Sequence, residues 1–155
     1  MQMEMPKPQE QHQRLSALAG RWEAEETLYP SPWDPKGGKA TGHMDARMAL
    51  NGFFLISDYR QERDGKTTYE GHGVYGFEPK ETCWTMWWAD GMCPTGGLAK
   101  GQWQGNTLSF QNQSPMGHSR YTYVIEGPER MTFRLESSQD GKNWTLFMEG
   151  KFRKK

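Results

Sequence analysis

The sequence predicts an all-β protein: an antiparallel up-and-down β-barrel of about ten strands, with a short N-terminal helix capping one end. Three observations predict it. Segments of alternating polarity run from residue 21 to residue 153, punctuated by turn dipeptides such as Asn51-Gly52, Asp64-Gly65 and Asp140-Gly141. No helical periodicity interrupts them. Gly20-Arg21-Trp22 stands where a short amphipathic segment gives way to the first strand. Glycine permits the sharp turn, and a tryptophan two residues on can plug the floor of a barrel.

The elements follow in order. Residues 1–8 read as a disordered lead-in, and 9–155 as a single domain. His12, Leu15, Leu18 and Ala19 recur at helical spacing, so 9–19 is a helix ended by Gly20. In the first strand Trp22, Ala24, Glu26 and Leu28 share one face. Residues 29–38 form a proline- and glycine-rich loop carrying Trp33. The second strand, 40–50, places Met44, Ala46, Met48 and Leu50 together. Strands over 53–63 and 67–77 follow, the inward face of the former being ambiguous. The most aromatic strand, 82–90, sets Trp84, Met86 and Trp88 on one face and Trp87 on the other. A loop through Pro94 and Gly96-Gly97 leads to strands over 98–104, 107–113, 118–126, 130–138 and 143–153, the inward face of 118–126 being ambiguous as well. In the last, Trp144, Leu146, Met148 and Phe152 share a face. Short links make neighbours antiparallel, and closing the sheet removes its exposed edges. A β-sandwich is the competing architecture, without the Cys…Trp…Cys pattern that would support it.

Composition narrows the function. Apolar residues are 34% and mean hydropathy is −0.95, yet aromatics reach 13%, a combination foreign to disordered chains. The 19 basic and 19 acidic side chains cancel, and the basic ones are scattered, so neither nucleic acid nor an anionic membrane is an expected partner. Near-zero net charge gives little protection from self-association, which leaves a homodimer open. With no signal-peptide core and no transmembrane-length apolar run, a cytoplasmic location with Cys83 and Cys93 reduced is expected. The ten methionines suit adaptable cores and permissive pockets.

Several segments carry a family resemblance. Leu18-Ala19-Gly20-Arg21-Trp22, the run from Tyr69 to Glu78, Trp88-Ala89-Asp90, Ser119-Arg120 and the run from Glu136 to Trp144 resemble a bacterial family catalogued as domain of unknown function 1579. Glycine-any-tryptophan also resembles the opening of the calycins, the lipocalins and fatty-acid-binding proteins. That resemblance implies a lipocalin-like barrel. It further implies a late arginine packed across the tryptophan, for which Arg153 is the candidate beside Gly20 and Trp22 as structural residues. The nitrobindin family of ten-stranded haem barrels is similar at the start, where Gly20-Arg21-Trp22 leads to Tyr29-Pro30. Glu25 and Thr27 stand where that family has glycines, and no histidine occurs from Trp144 to Lys155, so no haem or other cofactor is expected.

The residues point to a small apolar or aromatic molecule inside the barrel. Tyr75, Trp84, Met86, Trp88, Tyr121 and Met148 would supply contact, and Glu26, His72 and Arg120 polar handles. An inward Glu26 needs a partner or water, and Arg120 or Arg60 could pair with it. An enzyme is the alternative, with His72 or Glu26 as general base. A third reading is a filled, dimeric barrel whose interface uses Trp33 and Trp87. His43, His72 and His118 lie on three strands without a metal-ligand spacing, so no metal is expected. No nucleophile elbow or phosphate-binding glycine loop is present.

Overall fold

A computed structural model describes residues 1–155, the side chain of Pro94 excepted. Glu10–Gln13 form one α-helical turn (α1), continued by a 3-10 helix over Arg14–Leu18. The expected helix is therefore wound more tightly along most of its length. The physical reason is the burial of Leu15 and Leu18 against the barrel floor, at 0% and 1% exposure. Residues three apart eclipse on a 3-10 helix, so both side chains point the same way.

Ten strands follow: β1 (Gly20–Leu28), β2 (Gly38–Ala49), β3 (Phe54–Arg63), β4 (Lys66–Glu78), β5 (Cys83–Asp90), β6 (Cys93–Gln104), β7 (Thr107–Ser114), β8 (Gly117–Gly127), β9 (Arg130–Ser138) and β10 (Thr145–Lys154). Each pairs with its neighbours in sequence, and β1 pairs antiparallel with β10, so the barrel closes. No helix is long and apolar enough to cross a membrane.

The helical segment seals one end. Trp22, 1% exposed, donates its Nε1–H to the Leu18 carbonyl at 3.0 Å. Trp84 donates to the Gln11 carbonyl at 2.9 Å, and Arg14 donates to the Gly105 carbonyl at 2.9 Å. The opposite end is open. It is ringed by the 29–37 loop, the Asp64-Gly65 turn, the β5–β6 hairpin, and the β7–β8 and β9–β10 links.

Four expectations change. The cation over Trp22 is Lys154, whose Nζ lies 5.1 Å from the ring centroid, not Arg153. Phe152 is buried, so alternation turns residue 154 inward and 153 outward. Leu50 is 64% exposed because it opens a 3-10 turn at positive φ rather than ending β2. The segment with Pro94 and Gly96-Gly97 belongs to β6, beside a register irregularity between Trp88 and Asp90. Finally, a register shift between Leu146 and Met148 breaks the alternation of β10. Leu146 then pairs with Glu136 on the outside, while Phe147 lines the interior. Trp144 precedes the strand and stacks under Arg120.

Candidate functional site

The open end leads into a cavity of about 580 Å³. Its wall follows from strand parity. Buried Leu55 and Tyr75 fix the inward faces of β3 and β4, which carries Tyr59 and Tyr69 inward as well. Met86 and Trp88 come from β5, Tyr121 and Tyr123 from β8, Phe133 and Leu135 from β9, and Met148 from β10. Aromatic faces and thioethers make a wall suited to a flat apolar body. Tyr75 and Tyr123 share a hydrogen bond of 2.7 Å between their hydroxyls, and burial pushes Tyr75 up to about 12. These phenols are neutral donors and acceptors across the whole physiological range.

One wall is built by a glycine-tryptophan fit. Trp88 lies across Gly71 and Gly73 of β4: a Cβ at Gly71 would come within 2.1 Å of its Cζ2. So placed, the indole N–H reaches the Tyr69 hydroxyl at 3.0 Å and Asp90 Oδ2 at 3.1 Å. Tyr69 donates to the same Asp90 oxygen at 2.7 Å. Asp90 Oδ1 accepts the backbone N–H groups of Met92 and Cys93, so the cluster also fixes the β5–β6 hairpin at the mouth.

A second cluster surrounds Glu26, 1% exposed and inward as alternation predicts. Gly42 and Gly150 make its slot, since a Cβ at Gly42 would meet the carboxyl at 2.6 Å. Its partners are Tyr59, with O···O distances of 2.8 and 2.6 Å, and Gln61 Nε2 at 3.2 Å, not an arginine. Burial raises its pKa, opposed by the Tyr59 and Gln61 hydrogen bonds. The folded state thus binds the proton more tightly than the unfolded chain does. Stability from this group is complete below the ordinary carboxylate range and is lost as pH rises through the folded value. Glu26→Gln keeps the shape and removes the titration. It should stabilise the fold by about 1–3 kcal/mol at pH 8, the scale of a buried polar penalty. The gain should vanish near pH 4, as urea unfolding at both pH values would show.

At the mouth, Arg63 Nη1 pairs with Asp34 of the 29–37 loop at 2.8 Å. Trp33 and Met92 flank the opening, 66% and 70% exposed.

The structure brings five of the sequence-predicted contact residues together on the cavity wall: Tyr75, Met86, Trp88, Tyr121 and Met148. Trp84 lies deeper, beneath the helix and 5.0 Å from Phe77. His72 and Arg120 are on the outer surface. His72 Nδ1 lies 2.7 Å from Asp58 Oδ1, in a charged depression that also includes His43, Arg60 and Glu70. Arg120 makes a two-pronged pair with Glu136 at 3.0 and 2.9 Å, and its guanidinium stacks 4.2 Å over Trp144. Both misplacements have one cause. Residues an odd number apart in a regular strand face opposite ways, so inward Tyr75 and Tyr121 exclude His72 and Arg120. Tyr59, Gln61, Tyr69, Arg63 and Phe147 were missed. Tyr59, Gln61 and Arg63 follow once Leu55 fixes the parity of β3; Phe147 depends on the register shift and left no sequence signal.

Trp87 faces outward in cross-strand register with Val74 and Leu98, and Trp33 sits at the mouth. Both cysteines are free, Cys83 buried and Cys93 exposed. Among the described residues no group of three or more His, Cys, Asp or Glu could hold a metal ion.

The family model described as a protein of unknown function (DUF1579) matches residues 7–154. The chain belongs to the DUF1579 family. Within it, two segments that carry the resemblance, 69–78 and 88–90, meet at the Trp88 wall. Two others meet outside, where Arg120 joins Glu136 and Trp144. No curated protein matches the chain. Among solved structures, the crystal structure of Rv2717c from M. tuberculosis is similar, with a TM-score of 0.70 at 14% identity. The match covers 95% of this chain and 98% of that one, a likeness of fold.

Proposed function

We propose that residues 9–155 act as one binding domain that holds a small apolar or aromatic molecule in the barrel cavity. The observation that carries this reading is the 580 Å³ cavity itself, walled by tyrosine, tryptophan, phenylalanine and methionine and open at one end. Their apolar faces border the shared space, and the polar atoms among them are largely bonded to one another, as between the Tyr75 and Tyr123 hydroxyls, which suits a flat apolar occupant. Neither proposed base lines that space: His72 is outside, and Glu26 is set behind Tyr59 and Gln61.

The test uses 1-aminoanthracene, a neutral flat fluorophore. Its emission should rise on binding, saturating at one molecule per chain. Met148→Trp fills the cavity from β10 and should weaken the probe by about tenfold or more, the scale of a few lost contacts plus a steric clash. An unchanged affinity in that variant, with its fold intact by circular dichroism, would place the probe elsewhere. No enhancement in the wild type would favour the filled barrel.

A further inference from the structure

We propose that the molecule held in the cavity carries a carboxylate, which docks on the Nε–Nη2 edge of Arg63, making the natural occupant an aromatic monocarboxylic acid. The proposal rests on the cavity reading above and adds the headgroup. Arg63 ends β3, turned inward by the alternation Leu55, Ser57, Tyr59, Gln61, and it lines the cavity at its mouth. Asp34 takes only Nη1. The Nε and Nη2 atoms are buried and have no acceptor among the described residues. Those two nitrogens form one edge of the guanidinium, with two parallel N–H bonds spaced to meet the two oxygens of a carboxylate.

A buried guanidinium edge without an acceptor is costly in the empty protein, so it is the place where a ligand oxygen gains most. Asp90, the other carboxylate lining the cavity, is held by Tyr69, Trp88 and two backbone N–H groups. Gly38 of β2 is the backbone nearby: a Cβ there would stand 3.9 Å from Nη2, in ordinary contact. A single neutral carbonyl would satisfy one N–H and leave the other orphaned. A phosphate would bring extra negative charge to a mouth that already holds Asp34 and Asp90. A monocarboxylate satisfies both N–H groups with one charge, and its ring lies along the aromatic wall.

The test compares 2-naphthoate with 2-naphthalenemethanol, its neutral counterpart, by titration calorimetry at pH 7.5. The acid should bind the wild type at least ~tenfold more tightly, the scale of a charge-assisted pair. Arg63→Gln should bring the acid-to-alcohol ratio to about one. Arg63→Lys keeps the charge and loses the two-pronged edge, so its ratio should fall between. Equal binding of acid and alcohol by the wild type, or an unchanged ratio in Arg63→Gln, overturns the headgroup and leaves the cavity reading standing. Failure of both compounds to bind overturns the two together. Should Arg63→Gln fail to fold, the lysine variant decides, a ratio equal to the wild type's contradicting the proposal.

Discussion

Trp22→Ala should lower the free energy of unfolding by about 3–5 kcal/mol, the range for removing a fully buried tryptophan. Three contributions act at once. The ring closes the floor of the barrel above Leu15 and Leu18, all three at 1% exposure or less. Its indole N–H satisfies the Leu18 carbonyl at the end of the 3-10 helix. Its face carries the ammonium of Lys154, which pairs with it across β1 and β10, where the barrel closes. Removal leaves a cavity, an unpartnered carbonyl and a cation without its ring. For a chain of this size the melting temperature should fall by roughly 6–20 °C. Trp22→Phe retains most of the packing and loses the hydrogen bond, so its loss should be markedly smaller. Thermal melts of both variants check this; near-wild-type stability of Trp22→Ala would mean that the helix, not the tryptophan, closes the floor.

Gly71→Ala should damage the cavity more than a single methyl group suggests. Its backbone is not in the left-handed region, so alanine carries no conformational penalty there. The obstacle is Trp88, whose Cζ2 lies 2.1 Å from the position of the new Cβ. The indole must move, and with it go the bonds to Tyr69 and Asp90 that hold the β5–β6 hairpin at the mouth. Overpacking of this kind costs about 1–3 kcal/mol. The larger effect should be on binding, with the wall residue displaced and affinity for 1-aminoanthracene reduced by about tenfold or more. Gly65→Ala is the comparison. It carries backbone strain at φ +74°, but an added Cβ meets nothing within 4 Å, so binding should hold while stability falls.

These residues also show what alternation can and cannot reveal. In β1 one face is plainly apolar, so the inward run Trp22, Ala24, Glu26 was legible, including its anomalous carboxylate. In β3 both faces are polar: Asp58, Arg60 and Glu62 point out, while Ser57, Tyr59 and Gln61 point in. Hydropathy has no contrast to work with there, and the partners of Glu26 were hidden for that reason. β8 has the same difficulty, which allowed Arg120 to be considered beside Tyr121. The register shift after Leu146 changes parity within one strand, and pairing with β9 reveals it where sequence does not. Arg153 and Lys154 differ by one position, and the burial of Phe152 decides between them. The polar composition of the interior is itself informative. The tyrosines, Gln61 and Glu26 are tolerated inside because they bond to one another, and they lower the hydropathy of a chain that nevertheless encloses an aromatic cavity.

The most direct test of a hollow, ligand-holding barrel is a crystal structure of the protein with 1-aminoanthracene. The predicted result is the three-ring system inside the barrel, between Trp88 and Met86 of one wall and Tyr121 and Phe133 of the other, with the strands unmoved. The contradictory result is an interior filled by those same side chains, with the fluorophore bound on the outer surface or absent.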